Sequence, residues 1–236
     1  MQAIILAAGM GTRLRPLTIH TPKSLIPING EPLIERQIRF LNEIGVHEIV
    51  IVTGYLANKF TYLKKKFSVR LIFNPYYHMY NNIYSMYLAR EYLPDSYVID
   101  ADNYLCRNFL IPNPRTSLYF SAKKRFTNEW VLSVNRKRKV KKITIEESGI
   151  DHILCGVSYW SKEDGEKLVK KLEEIINSGN FHNLYWDHVV KDHLPILNVY
   201  MHEIRADDTY EIDTLEDLKR LQSMVADYDV RMIHPV

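Results

Sequence analysis

Asp100 and Asp102 flank a single alanine at the end of a short apolar run, Tyr97 to Ile99. Residues two apart in a strand point to one side, so a regular strand puts both carboxylates on one face. Ligands of an open parallel sheet bind outside the carboxyl ends of its strands. Carboxylates there suit magnesium, which takes one or two of them and fills its other positions with substrate phosphates. A second group lies near the N-terminus, in L-A-A-G-M-G-T-R-L-R-P and the T-P-K-S that follows. Gly9 and Gly11 have no side chain, so backbone N–H groups there can approach an anion closely. Arg13, Arg15 and Lys23 add positive charge. Together these residue types can bind a nucleotide polyphosphate. Leu14 stands where a dinucleotide fingerprint needs its third glycine, which excludes a nicotinamide dehydrogenase. No G-K-[S/T] closes the segment, so it is not a P-loop.

These groups need elements to position them. Ala3 to Ala8 is a continuous apolar run, as expected of a strand buried on both faces. Pro32 stands where a helix can begin, and Leu33, Ile34, Ile38, Phe40 and Leu41 give it an apolar face that Gly45 ends. Glu48 to Thr53 and Val69 to Phe73 read as strands, Asn58 to Phe67 and Ile83 to Leu93 as helices. Strand and helix alternating at this spacing predict βαβ units. The second half predicts four strands, 117–122, 130–134, 140–146 and 152–160. Helices over 162–177 and 184–192 and a strand over 197–203 follow. Thr214 opens a C-terminal helix, with Asp217 closing the capping box T-L-E-D. The predicted class is α/β: a Rossmann-like, mostly parallel central sheet flanked by helices, with a β-rich insert. One domain over 1–236 is the simplest account, its parts being about 1–110, 111–205 and 206–236.

Composition removes other classes. Of 236 residues, 46% are hydrophobic and 25% charged, which excludes intrinsic disorder. Two cysteines, Cys106 and Cys155, are too few for a disulfide framework or a cysteine zinc site, and both read as core residues. The nine histidines show no metal-ligand spacing. No apolar run approaches the ~20 residues that span a bilayer. The N-terminal apolar stretch is short and runs into glycines, unlike a signal peptide. A cytoplasmic protein without membrane insertion is expected. The net charge of +3 is too even for a nucleic-acid partner, and the basic tract Arg136 to Lys139 reads as a solvated turn.

L-A-A-G-M-G-T-R, with P-K-S-L some ten residues on, resembles the signature of the sugar-phosphate nucleotidyltransferases. V-I-D-A-D-N resembles that family's metal-binding strand end, and Y-E-I-D-T-L-E-D-L its late second ligand segment. Within it, Y-N-N-I-Y-S, T-N-E-W and L-Y-W-D are similar to the bacterial CTP:phosphocholine cytidylyltransferases. The resemblance implies the nucleotide-diphospho-sugar transferase fold, with the β-rich insert forming the acceptor side. It implies in-line attack of phosphocholine on the α-phosphate of CTP, giving CDP-choline and pyrophosphate, with Mg2+ as cofactor. By the same resemblance Leu6, Ala7, Ala8, Gly9, Gly11, Thr12 and Asp100 hold the nucleotide. Lys23 and Arg13 serve the reacting phosphate, and Asp102 and Glu211 hold the metal. Asp213 ranks below Glu211, because it precedes and can help cap the helix at Thr214.

The implied chemistry asks little of the protein. A phosphate monoester, with a second pKa near ~6, is largely dianionic at neutral pH and needs no general base. It needs charge neutralisation and alignment. Asn81, Asn82 and Ser85 are suited to read cytosine, since amides can meet both its donor and its acceptors. A quaternary ammonium has no N–H and is recognised by aromatic faces and nearby negative charge. Glu129 with Trp130, and Tyr185 with Asp187, supply both. Tyr80, Tyr84 and Tyr87 have helical spacing and read as packing. Three alternatives stand beside this reading. The acceptor could be 2-aminoethylphosphonate or phosphoethanolamine. It could be a sugar 1-phosphate, which Asn81 and Asn82 weaken by standing where such relatives commonly carry a glycine-rich segment. Or the chain could be a non-catalytic nucleotide-binding regulator, which the presence of Lys23, Asp102 and Glu211 opposes. The sequence leaves open the acceptor and whether the chain forms a homodimer.

Overall fold

Alternate residues of the first strand, β1 (Gln2–Ala7), enter two different cores. Ala3, Ile5 and Ala7 pack with Ile34, Ile38 and Leu41, while Ile4 and Leu6 pack in a second cluster with Ile83, Met86, Leu168 and Val189. Helices therefore cover both faces, which is why the run is apolar throughout. A computed structural model describes the backbone of residues 1–233 and the side chains of residues 1–225.

The remaining elements are α1 (Leu33–Glu43), β2 (Glu48–Thr53), α2 (Thr61–Phe67), β3 (Arg70–Phe73), α3 (Asn82–Leu88), β4 (Ser96–Asp100) and β5 (Asn103–Leu105). Then come β6 (Ser117–Val134), β7 (Val140–Trp160), α4 (Lys162–Ser178), α5 (Trp186–His193), β8 (Val199–Ile204), β9 (Thr209–Glu211) and α6 (Leu215–Ile233). A seven-stranded sheet runs in the order β8-β6-β7-β4-β1-β2-β3. β3, β2, β1 and β4 are parallel to their neighbours, β7 is antiparallel to β4 and to β6, and β8 is parallel to β6. Only β7 opposes the common direction, so the predicted mostly parallel α/β sheet is what forms. A separate antiparallel pair, β5 with β9, matches Asn103 to Glu211.

Two expectations need correction. The four strands expected in the second half are two long ones, of 18 and 21 residues. Residues 123–129 and 147–151 carry mostly polar side chains because that ribbon leaves the core, and its backbone ladder continues without an apolar pattern to reveal it. The β-rich part contributes β6 and β7 to the central sheet. The ribbon shifts register between Trp130 and Val131 and folds over a small cluster of Phe126, Val131 and Ile153. Its tip, the basic turn, returns to β8, where the Met201 N–H donates to the Arg138 carbonyl at 2.9 Å. The helix expected to reach Leu93 stops at Leu88 and gives way to a 3-10 turn, Arg90–Tyr92. The capping box forms as predicted. The Thr214 N–H donates to Asp217 Oδ2 at 2.8 Å, and the Asp217 N–H donates to Thr214 Oγ1 at 3.2 Å.

Candidate active site

β1 delivers the chain to a loop over the carboxyl ends of the sheet. Gly11 has φ 57°, a left-handed conformation that glycine adopts at no steric penalty. A short 3-10 turn follows, and its Leu14 is fully buried against Tyr104, Ile212 and Leu218. Burying that side chain contributes about 2 kcal/mol and fixes the loop. Gly9 is different. A Cβ there would meet no atom within 4 Å and its φ is not positive, so neither packing nor conformation requires the glycine. What it leaves is open space over the cavity.

Lys23 begins another 3-10 turn and reaches under this loop. Its Nζ donates to Asp102 Oδ2 at 2.9 Å and to Asp213 Oδ1 at 2.7 Å. Burial works against the Lys23 charge, but the two carboxylates outweigh it and hold its pKa above the ordinary lysine value. Arg13 Nη2 lies 2.8 Å from Asp213 Oδ2, on a side chain that is mostly exposed.

The β5–β9 pair brings residues a hundred positions apart together. Carboxylate oxygens of Asp102, Glu211 and Asp213 lie within 4.8 Å of one another. The Ile212 N–H donates to the Asp102 carbonyl at 3.1 Å, and Gln37 Nε2 bridges the carbonyls of Asp100 and Asn103. The turn bearing Asp102 is thus held from both sides. Asp213, ranked below Glu211 as a residue that could help cap the helix, does not cap it with its side chain. Thr214 and Asp217 cap the helix, while the Asp213 side chain joins the carboxylate cluster and meets Lys23 and Arg13. Glu211 makes no hydrogen bond or ion pair among the described residues. Its carboxyl faces solvent in the cleft but has protein on most sides. Burial, then Asp102 and Asp213, push it up to about 8. Burial also raises Asp100 well above the usual carboxylate range, with Asp102, Asp187 and Glu211 adding to it.

Two adjoining cavities meet at this cluster. The smaller, about 220 Å³, is lined by Ala7, Gly11, Thr12, Lys23 and Ser24. The larger, about 900 Å³, opens toward Ala8, Asp100, Glu211, the bend of β6 and the start of α5. Leu6, Gly9, Arg13, Asp102 and Asp213 line both. Arg15 lines neither.

At its far end the larger cavity is aromatic and acidic. The Trp130 ring is 6.5 Å from Tyr185 and 4.6 Å from His188, edge-on to each, and the Tyr185 and His188 rings lie nearly parallel at 6.0 Å. Glu129 and Asp187 line the same wall. Burial raises Glu129 above the usual glutamate range and pushes Asp187 up to about 6. The Tyr119 hydroxyl donates to Asp187 Oδ1 at 2.7 Å. Trp186 is a core residue, edge-on to Trp160 at 5.5 Å.

The residues assigned to cytosine divide. Asn81 and Asn82 line the larger cavity, but their side chains also brace α3 against the start of α5. Asn81 Nδ2 donates to the Asn183 carbonyl at 3.1 Å, and the Trp186 N–H donates to Asn82 Oδ1 at 2.9 Å. Ser85 is placed elsewhere: it is buried inside α3, accepts from Asn74 Nδ2 at 2.9 Å and lines neither cavity. Tyr80, read as packing, both packs on Phe181 and lines the cavity. Tyr119 and His188 are lining residues that the sequence did not single out. Nothing local marks Tyr119 within its strand. His188 could have been found by extending L-Y-W-D by one residue.

A glycine-containing strand-end loop, a lysine among carboxylates and two adjoining cavities fit the nucleotidyltransferase class, which the relatives of the chain establish. Residues 3–105 match the family described as MobA-like NTP transferase domain. The choline-phosphate cytidylyltransferase of Streptococcus pneumoniae is 48% identical over 95% of this chain and 98% of its own length. The solved structure of the CTP:phosphocholine cytidylyltransferase from that species superposes with a TM-score of 0.92, covering 95% of this chain and 98% of that one. The 2-aminoethylphosphonate cytidylyltransferase of Lancefieldella rimae is 35% identical over 92% of this chain and 89% of its own length. The chain belongs to the bacterial choline-phosphate cytidylyltransferase family. Among the described residues, no helix is long and apolar enough to cross a membrane.

Proposed function

We propose that the chain transfers the cytidylyl group of CTP to phosphocholine. A phosphate oxygen of phosphocholine forms a bond to the α-phosphorus, the bond to the β-bridging oxygen breaks, and pyrophosphate leaves. No proton needs to move. The observation that carries the reading is the junction of the two cavities. Lys23, Arg13, Asp102 and Asp213 stand where a polyphosphate loop opens into an aromatic, acid-lined chamber.

In this reading the segment from Leu6, at the end of β1, to Thr12 holds the triphosphate by its backbone, and the space over Gly9 admits it. Lys23 and Arg13 draw the reacting phosphate toward the sheet and offset charge that grows as the bond forms. Asp102, Glu211 and Asp213 fit a divalent cation: they are hard oxygen donors within 4.8 Å of one another, and Glu211 has no protein partner among the described residues. Magnesium bound there would supply positive charge to the triphosphate and to the departing pyrophosphate. Asn81 and Asn82 lie toward the base. Trp130, Tyr185, Glu129 and Asp187 face the ammonium. Residues 1–110 then serve the nucleotide and 111–205 the acceptor, and the late segment from 206 adds Glu211 and Asp213.

The test is pyrophosphate release with each of four nucleoside triphosphates against phosphocholine, phosphoethanolamine, 2-aminoethylphosphonate and glucose 1-phosphate. CTP with phosphocholine should give the highest kcat/KM. Preference for either primary amine would move the acceptor, and preference for the sugar would overturn the ammonium chamber.

A further inference from the structure

We infer that His188 is a specificity-determining wall of the acceptor chamber, and that its cap bond at the start of α5 holds its ring there in the neutral form. The inference rests on the reading that this chamber takes the ammonium.

The ring's protonation is set by geometry. The Tyr185 N–H donates to His188 Nδ1 at 3.0 Å. The Tyr185 carbonyl lies farther from the same nitrogen, at 3.3 Å. A backbone N–H can only donate, so the shorter contact assigns the Nδ1 lone pair to the Tyr185 N–H and the ring proton to Nε2. Burial lowers the His188 pKa further. The ring is thus uncharged at neutral pH and does not repel a cation. Its one lone pair is already used, so it has no acceptor left for the N–H groups of a primary ammonium. It can offer a methylated ammonium an aromatic surface, set edge-on to Trp130 and parallel to Tyr185. The three rings and Asp187 come from the β6 bend and the first residues of α5, so one cap bond orders two of the rings together.

The rival explanation is that His188 only caps the helix. Two substitutions separate the roles. His188→Asn places Oδ1 where Nδ1 was, keeping the cap acceptor and removing the ring. His188→Phe keeps a ring and removes the acceptor. If the ring is a wall, His188→Asn raises the KM for phosphocholine about two- to fivefold, the range of an exposed cation–π contact. Its KM for CTP and its Tm stay near wild type. His188→Phe recovers most of the phosphocholine loss while lowering Tm. Choline chloride added to the wild-type enzyme should shift the His188 ring protons in the NMR spectrum. An unchanged phosphocholine KM in His188→Asn, a larger KM in His188→Phe than in His188→Asn, or ring protons that ignore choline would overturn the assignment. Trp130→Ala is measured alongside. If it raises the phosphocholine KM and His188→Asn does not, only the role of His188 fails. If neither does, the chamber reading itself fails.

Discussion

The phosphate side and the acceptor side of the cleft are built on different principles. On the phosphate side, charges meet within hydrogen-bond distance: Lys23 lies 2.9 Å and 2.7 Å from two carboxylates that also face Glu211. Lys23 ties Asp102 and Asp213 together there, and Gln37 and Ile212 brace the turn that carries Asp102. On the acceptor side, the main surfaces are rings several ångströms apart, with acids behind them that burial lifts above their usual range. The first suits a ligand whose charge must be met atom by atom. The second suits a cation with nothing to donate, which needs faces and a field rather than partners. Catalytic power and acceptor choice should therefore be separable by mutation.

The largest effect is expected at Lys23. Lys23→Ala removes the charge that the proposed reading sets against the reacting phosphate, and leaves Asp102 and Asp213 without it. Loss of one such electrostatic stabiliser typically lowers kcat by about 10²–10³-fold. The phosphocholine KM should move little. A variant that only raises KM would make Lys23 a binding residue. Asp102→Asn and Glu211→Gln come next, each lowering kcat about a hundredfold at saturating magnesium. Their stabilities should differ in sign. Asp102→Asn takes a partner from Lys23 and should lower Tm. Glu211→Gln removes a like charge that the native state carries only as pH rises through about 8, and should raise Tm there and change it little below pH ~4, where native and unfolded chains both hold the proton. Near-native turnover in either variant would remove it from the metal site.

The same contrast explains what could be read from the sequence. The phosphate side was legible because its glycines, arginines and lysine lie within one stretch of chain, and because Asp102 stands in the turn just after a strand whose apolar run is plain. Glu211 was reached only by resemblance, since the β5–β9 pairing that brings it to Asp102 leaves no periodic trace in three-residue strands. Asp213 stayed open between metal ligand and helix start because an acid before a helix looks like a cap, although the cap that forms, Thr214 with Asp217, was visible beside it. The acceptor side was partly legible. Acid–aromatic pairs marked Trp130 and Tyr185, but the ribbon that carries Trp130 was read as separate strands. Tyr119 belongs to a strand whose alternation points it inward like any core residue. Ser85 shows the reverse error, a polar residue within a motif, whose hydroxyl accepts from Asn74 instead of facing the cleft.

A pair of substitutions should exchange effects between the two sides. Trp130→Ala should raise the phosphocholine KM about tenfold and leave the CTP KM unchanged, with Trp130→Phe restoring part of the loss. Gly9→Ala should do the opposite. Its added methyl meets no protein atom within 4 Å, so Tm should hold, while the CTP KM rises several-fold because the methyl occupies ligand space. If both variants weaken both substrates equally, the cleft works as one site and the division between its halves is wrong.

The smallest effect on turnover, and the sharpest on the acceptor side, concerns Asp187. Burial pushes its carboxyl up to about 6, above an ordinary aspartate, although the Tyr119 hydroxyl donates to it. The native state therefore holds its proton over a pH range in which the unfolded chain, with a pKa near ~3.9, has lost it. Stability from this group is greatest below pH 4 and is lost as pH rises through about 6. At pH 8 the native enzyme carries a charge that its surroundings resist. Asn at this position keeps an acceptor for Tyr119 without the charge. Asp187→Asn should raise Tm at pH 8 by a few degrees, on the order of 3–6 °C, and the gain should shrink toward zero at pH 4.5. The same variant should bind phosphocholine a few-fold more weakly at pH 8, and choline should raise its Tm less than it raises that of wild type. Differential scanning fluorimetry across pH, with and without choline, reads both halves. A variant that is less stable than wild type at pH 8 would mean that the carboxylate is stabilised by the protein alone. Its charge would then need no ligand to explain it, and the acceptor side would rest on its rings.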